Sequence, residues 1–157
     1  MDRETFQRPS HLLSRSARLL TRWGEERFAA LGLAVAQVPV LFALQGGNSL
    51  TQKELAWLAR IEQPTMTHLL VRMERDGLVQ RTPNLTDKRS SLVSLTPLAL
   101  QKLPAVRTIL LEGNAAVLQG FTEEEAALLS SLLRRVVGNL DPHSVELERE
   151  WDRSGRP

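Results

Sequence analysis

Residues 51–96 read TQKELAWLARIEQPTMTHLLVRMERDGLVQRTPNLTDKRSSLVSLT, and the order of signals within this stretch decides the fold. Thr51 with Glu54 three positions on is a capping box, in which each side chain bonds a backbone N–H that the first helical turn leaves unpaired. Leu55, Ala56, Leu58 and Ala59 follow at helical spacing. A polar turn over residues 60–63 leads to Pro64, a residue suited to the first helical position because its missing N–H is not needed there. In the helix that follows, each residue turns by about 100°. Met66, Leu69, Leu70 and Met73 therefore share one face, while Pro64, His68, Val71 and Arg75 lie opposite, flanked by Thr65, Thr67 and Arg72. Asp76-Gly77 ends the helix, with Gly77 fitted to a left-handed cap. Residues 78–82 and 91–95 have strand character, with Leu78 or Val79 facing inward, Gln80 and Arg81 open to solvent, and Val93 grouped with Leu95. The intervening loop holds Pro83, Asn84, Asp87, Lys88 and Arg89 and forms a basic hairpin tip. Two helices joined by a brief turn and followed by a charged hairpin suit the reading of double-stranded DNA.

Gln52 and Glu54-Leu55-Ala56 come first. Gln63-Pro64-Thr65-Met66-Thr67 follows, then Met73-Glu74-Arg75-Asp76-Gly77-Leu78-Val79, Arg81, Asp87-Lys88-Arg89 and Leu95-Thr96. In this order and spacing the segment resembles the winged helix-turn-helix of the MarR family of bacterial transcriptional regulators. More loosely, the resemblance runs from His11 to Leu140, and Ala99 stands where the family often has glycine. It implies a mainly α fold with a small β-hairpin wing and flanking helices that dimerise. The implied function is that of a homodimeric regulator, a repressor at a pseudo-palindromic operator in double-stranded DNA, released by a small aromatic or anionic effector. The alternative class is a winged-helix module that binds a protein partner; a basic wing and a polar helix face speak against it.

The residues expected to meet DNA are Gln63, Pro64, Thr65, Thr67, His68, Arg72, Arg75, Asp87, Lys88 and Arg89. His68 either contacts a base edge or phosphate or is a solvated helix residue. Thr65 and Thr67 occupy the first turn, where helix N-termini approach phosphates and bases, and capping is compatible with that role. Arg72 and Arg75 suit phosphates better than bases. Narrow minor grooves concentrate negative potential and attract inserted arginine; the resemblance gives this role to Arg89, with Asp87 orienting it. His11, Arg18, Trp23 and Phe42 are candidates for an effector pocket, an assignment that rests on the resemblance. Core packing is the competing role for the aromatic pair, and a solvated face that for His11 with Arg15 and Arg18.

The 157 residues suit one domain with a sizeable core. Its expected span is 8–140, with a DNA-binding lobe over 33–96, dimerisation helices over 8–32 and 97–140, and a mobile tail over 141–157. There is no apolar run near bilayer length and no secretory h-region, so a cytoplasmic protein is expected. With no cysteine, disulfides, thiolate metal sites and thiol redox sensing are excluded. Three scattered histidines suggest no metal cluster, and no phosphate loop, zincin motif or nucleophile elbow points to an enzyme or a cofactor. The net charge of +2 is small, but its distribution is uneven. Residues 1–48 hold six Lys/Arg against four Asp/Glu, residues 49–96 seven against five, and residues 97–157 seven against nine. The positive excess lies with the expected reading segment and its N-terminal neighbour, as attraction to phosphate requires.

Outside that segment, Leu13, Ala17, Leu20, Gly24, Phe28 and Leu31 recur at helical spacing, with Leu12, Leu19 and Trp23 beside them. So wide an apolar arc must bury more than one side. Residues 35–44 are nearly all apolar; Pro39 among them would cost about 3 kcal/mol in a helix interior, so the helix starts near Gln37 or bends. Thr96-Pro97 opens a further helix with Leu98, Leu100, Leu103, Val106, Leu110 and Leu111 at helical spacing and a kink expected at Pro104. Thr122 with Glu125 is a second capping box, followed by Ala126, Leu129, Leu133, Val136 and Leu140. The flanking helices carry more apolar surface than the reading segment covers, and a two-fold dimer would bury the surplus.

Overall fold

The computed structural model describes residues 7–141. Of the segment expected to form a mobile tail, residues 142–157 lie outside the described part. Among the described residues, backbone contacts form two compact units that divide after Gly113.

The first unit carries α1 (Pro9–Ala29), α2 (Val38–Ala43), β1 (Leu50–Thr51), α3 (Gln52–Leu58), α4 (Gln63–Arg75), β2 (Val79–Pro83), β3 (Ser91–Leu95) and most of α5 (Pro97–Val117). Pro39 falls in the first turn of α2, after a 3₁₀ turn at Val35–Gln37, so no mid-helix hydrogen bond is lost. The buried Gln37 accepts the Ala34 N–H on its side-chain oxygen at 2.9 Å, which satisfies that oxygen inside the unit. Leu41 of α2 and Leu44 at its C-cap, Leu55 of α3, Met66, Leu70 and Met73 of α4, and Val93 of β3 are fully buried together and form the core. The apolar face read from α4 is thus the face that packs.

The sheet has three strands rather than the two of a hairpin, in the order β1-β3-β2 and antiparallel throughout. Val79 pairs with Leu95, Arg81 with Val93 and Pro83 with Ser91, while Leu50 pairs with Val93 on the other side. Two residues of β1 thereby anchor the start of α3 to the base of the wing. Leu78 and Val79 are both buried, Leu78 just after the Gly77 cap and Val79 within the sheet. Arg81, expected in solvent, is only 27% exposed because it is drawn onto Glu74.

In α5 the buried positions are Ala99, Val106 and Gly113, while Leu98, Leu100, Leu110 and Leu111 are exposed. Of the expected stripe, Val106 is buried and Leu103 packs against the core, while the other four leucines stay on the surface. Small residues let α5 approach closely: a Cβ on Gly113 would stand 2.9 Å from Cζ3 of Trp23. Ala99 leaves the helix start intact. Thr96 Oγ1 accepts the Ala99 N–H at 3.3 Å and donates to the Gly77 carbonyl at 2.6 Å. Pro104 lies inside α5, which continues as one helix through it.

In the second unit, α6 (Glu123–Leu140) opens with the expected capping box. The Thr122 hydroxyl accepts the Glu125 N–H at 3.2 Å, and the Glu125 carboxylate accepts the Thr122 N–H at 2.9 Å. Glu124 is held below the ordinary carboxylate range by its own backbone N–H and then by the Thr122 side chain. No residue of α6 is buried, and Leu128, Leu132, Val137 and Leu140 are exposed.

Candidate nucleic-acid interface

The site begins with how α4 is delimited. The α3 helix ends in a Schellman cap: Ile61 N–H bonds the Ala56 carbonyl at 2.9 Å and Arg60 N–H the Trp57 carbonyl at 3.2 Å. Arg60 takes the left-handed conformation there, with φ of 55°, a position where glycine is the usual occupant. After this turn α4 begins one residue before Pro64, which makes Pro64 its second residue rather than its first. It ends in the same motif, with Leu78 N–H on the Met73 carbonyl at 2.8 Å and Gly77 N–H on Glu74 at 3.0 Å. Gly77 supplies the positive φ, 70°, that this cap requires.

Between those caps, Gln63, Pro64, Thr65, Thr67, His68, Arg72 and Arg75 are all exposed, as expected. Among the described residues, the side chains of Thr65, His68 and Arg72 form no hydrogen bond or ion pair. Arg75 instead places Nε and Nη2 on Oδ1 of Asp76, each at 2.9 Å. An exposed pair of this kind is worth roughly 0–1 kcal/mol, so a competing phosphate could displace it. Thr67 and Gln63 are held by a residue that motif reading left out of the site. Gln52, the first residue of α3, donates to Thr67 Oγ1 at 2.8 Å and to Gln63 Oε1 at 3.4 Å. Thr67 in turn donates to the Gln63 carbonyl at 2.9 Å.

The wing is shaped by two polar side chains. Asn84 accepts from the Thr86 N–H at 3.0 Å and hydroxyl at 2.7 Å, and donates to the Ser90 hydroxyl at 2.9 Å. Asp87 Oδ1 accepts the Arg89 backbone N–H at 3.0 Å, and the Asp87 carbonyl accepts the Ser90 N–H at 3.0 Å. Asp87 acts here on the backbone of Arg89. Among the described residues the guanidinium of Arg89 and the ammonium of Lys88 form no hydrogen bond or ion pair.

A cleft of about 440 Å³ joins the parts, lined by Gln52 and Lys53 of α3, Gln63 of α4, Arg81 of β2, and Asp87 and Arg89 of the wing. Three cations against one carboxylate give it positive charge, and its amides and hydroxyls can donate hydrogen bonds. Arg81 links its two sides: Nε reaches Glu74 of α4 at 3.3 Å and Nη1 the Ser91 hydroxyl of β3 at 3.3 Å. Sequence reading quoted Gln52 and Arg81 as matching positions without giving them a role. Their partners lie 15 and 11 residues away for Gln52, and 7 and 10 away for Arg81, so no local pattern announces them.

The effector candidates lie apart from this cleft's lining. His11 is half-buried on α1, and exposed Arg18 donates to the Ser14 hydroxyl at 2.8 Å. Trp23 is half-buried against α5, with the Arg27 guanidinium 3.8 Å from its ring centroid. Phe42 packs at the edge of the core. Among the described residues no cluster of three or more His, Asp or Glu could hold a metal ion, and no helix is long and apolar enough to cross a membrane.

Helix, turn, helix and wing in this arrangement define a winged helix-turn-helix protein. Residues 31–90 match the MarR family. The chain is 34% identical over 124 residues to YwoH of Bacillus subtilis, an uncharacterized HTH-type transcriptional regulator, covering 79% of this chain and 90% of that one. It is also 34% identical over 105 residues to the homoprotocatechuate degradative operon repressor of Escherichia coli, covering 67% of this chain and 71% of the repressor. A cysteine-to-serine mutant of MarR from Escherichia coli, solved with operator DNA, superposes with a TM-score of 0.77 at 25% identity, over 87% of this chain and 99% of that one. The chain belongs to the MarR family of transcriptional regulators.

Proposed function

We propose that the protein is a homodimeric repressor that binds a pseudo-palindromic operator in double-stranded DNA through α4 and the wing. The observation that carries this reading is the cationic cleft in which the start of α4 and Arg89 of the wing meet. A helix N-terminus favours anions, and a helix of 13 residues with one polar, exposed face is of a length to lie in a major groove. Thr65, Thr67 and His68 face base edges, Gln63 and Pro64 set the approach of the first turn, Arg72, Arg75 and Lys88 meet phosphates, and Arg89 enters the minor groove from a loop that Asp87 holds in shape. Residues 33–96 form the reading lobe, and residues 8–32 and 97–140 pair the two copies. Half-sites then lie about 10 bp apart, one helical turn of DNA. Repression is the named role of the Escherichia coli relative.

Selection from a random duplex pool tests this. A palindromic site should emerge, and His68→Ala or Thr65→Ala should weaken it more than scrambled DNA, by about 1–3 kcal/mol for a direct base contact. A protein-docking module would enrich no sequence and would bind mixed genomic DNA no better than an acidic polymer.

The second part of the reading is control by a small aromatic acid bound near α1, α2 and α5, where His11 and Arg18 could meet a carboxylate and Trp23 and Phe42 a ring. It is favoured by the relative named for repressing an operon that degrades homoprotocatechuate. Salicylate and related acids should lower operator affinity and raise the melting temperature of the free protein. Affinity and melting temperature unchanged across the panel would rule this mode of control out.

A further inference from the structure

We infer that a ridge on α4 made by Pro64, Thr67 and Val71 reads the 5-methyl groups of thymines in the major groove, an assignment that rests on the DNA-binding reading above. Pro64 and Val71 are seven residues apart, two turns of helix, so they lie on one line with Thr67 between them. The other large apolar side chains of α4, Met66, Leu69, Leu70 and Met73, are at most 2% exposed, whereas Val71 is 56% exposed. A lone exposed valine needs no explanation. This one extends a line of groups that have no free hydrogen-bond donor facing outward. Pro64 has no N–H and presents its ring. The hydroxyl of Thr67 donates to the Gln63 carbonyl at 2.9 Å and accepts from Gln52 at 2.8 Å. With its proton given to Gln63 and one lone pair taken by Gln52, Thr67 is left with its γ-methyl for an apolar contact to a base.

Hydrogen-bonding side chains border this ridge: Thr65, His68 and Arg72. In the major groove the thymine methyl is the apolar group that marks a base pair, every other readable feature being a donor or acceptor. A methyl ridge flanked by polar side chains is therefore matched to a thymine bordered by bases read through hydrogen bonds. Gln52 gains a role in this scheme. By holding the Thr67 hydroxyl from α3, it fixes which face of that side chain the DNA meets.

The test replaces each thymine of the selected site singly by deoxyuridine, which keeps the base pair and removes only the methyl, and measures affinity by fluorescence anisotropy. One or two positions per half-site should weaken wild-type binding about fourfold each, the effect of burying one methyl. Val71→Ser should bind the thymine and deoxyuridine duplexes equally at one of those positions. Thr67→Ser, which retains the hydroxyl and its two partners, should do so at the neighbouring one. Both positions are exposed, so the variants should melt within a few degrees of wild type. Equal wild-type affinity for thymine and deoxyuridine at every position would overturn the inference while leaving the operator reading intact. So would variants that keep the wild-type ratio at every position. A selection that enriches no sequence would overturn both.

Discussion

Replacing Leu128 and Leu132 together with glutamate should convert a dimer into a monomer at micromolar concentration and lower operator affinity by about 10²–10⁴-fold, the gain that linking two binding events supplies. The expectation starts from α6, an 18-residue helix that buries no side chain within the chain. Leu128 is 60% and Leu132 44% exposed, four residues apart and so on one face. Helices in proteins draw most of their stability from packing an apolar face rather than from propensity. In the proposed dimer a second copy would supply that packing, and a charge placed on the paired face would be buried without a partner. For a monomeric protein the same changes would be surface substitutions worth about 0.5 kcal/mol or less. Sedimentation equilibrium distinguishes the two cases. A wild-type monomer that bound its site tightly would refute the dimer.

Leu70→Ala should destabilise the reading unit by about 2–5 kcal/mol. Leu70 is fully buried in the cluster that α4 shares with α2, α3 and the sheet, and truncation leaves a cavity in a close-packed interior. At about 2–4 °C per kcal/mol the melting temperature should fall by roughly 4–20 °C. His68→Ala, two residues away on the exposed face, should change stability by no more than about 0.5 kcal/mol. Urea denaturation of the pair therefore checks which face of α4 packs and which is available to a ligand. Equal losses in the two variants would mean that the faces are misassigned.

Much of this arrangement was legible in the sequence because it is set locally. The capping boxes at Thr51 and Thr122 depend on residues three apart, the packing face of α4 on spacings of three and four, and its end on Gly77. The missing parts depend on distant partners. β1 is two residues long, too short to alternate, and exists because Leu50 and Thr51 pair with β3. The α3–α4 turn hid its cap because arginine, not glycine, occupies the left-handed position. In α5 the helical spacing identifies Val106 and Leu103 as core-facing but not Ala99 and Gly113, whose small size is what permits close approach. At the site, the exposed residues of α4 and the wing were found by pattern. Gln52 and Arg81 were not given roles, because only the fold brings them to Thr67, Glu74 and Ser91.

The most direct test of DNA binding by α4 and the wing is the salt dependence of affinity for the selected duplex, in wild type and in Arg89→Ala. With 6–10 phosphate contacts, wild-type affinity should fall about 10³–10⁵-fold between 50 and 200 mM salt. Arg89→Ala should bind specific and scrambled duplexes more weakly, with a slope of log affinity against log salt shallower by about one. It should sediment as the wild-type dimer does. Wild-type affinity and slope in Arg89→Ala, or a wild-type protein whose DNA binding is insensitive to salt, would contradict the assignment of this surface to DNA.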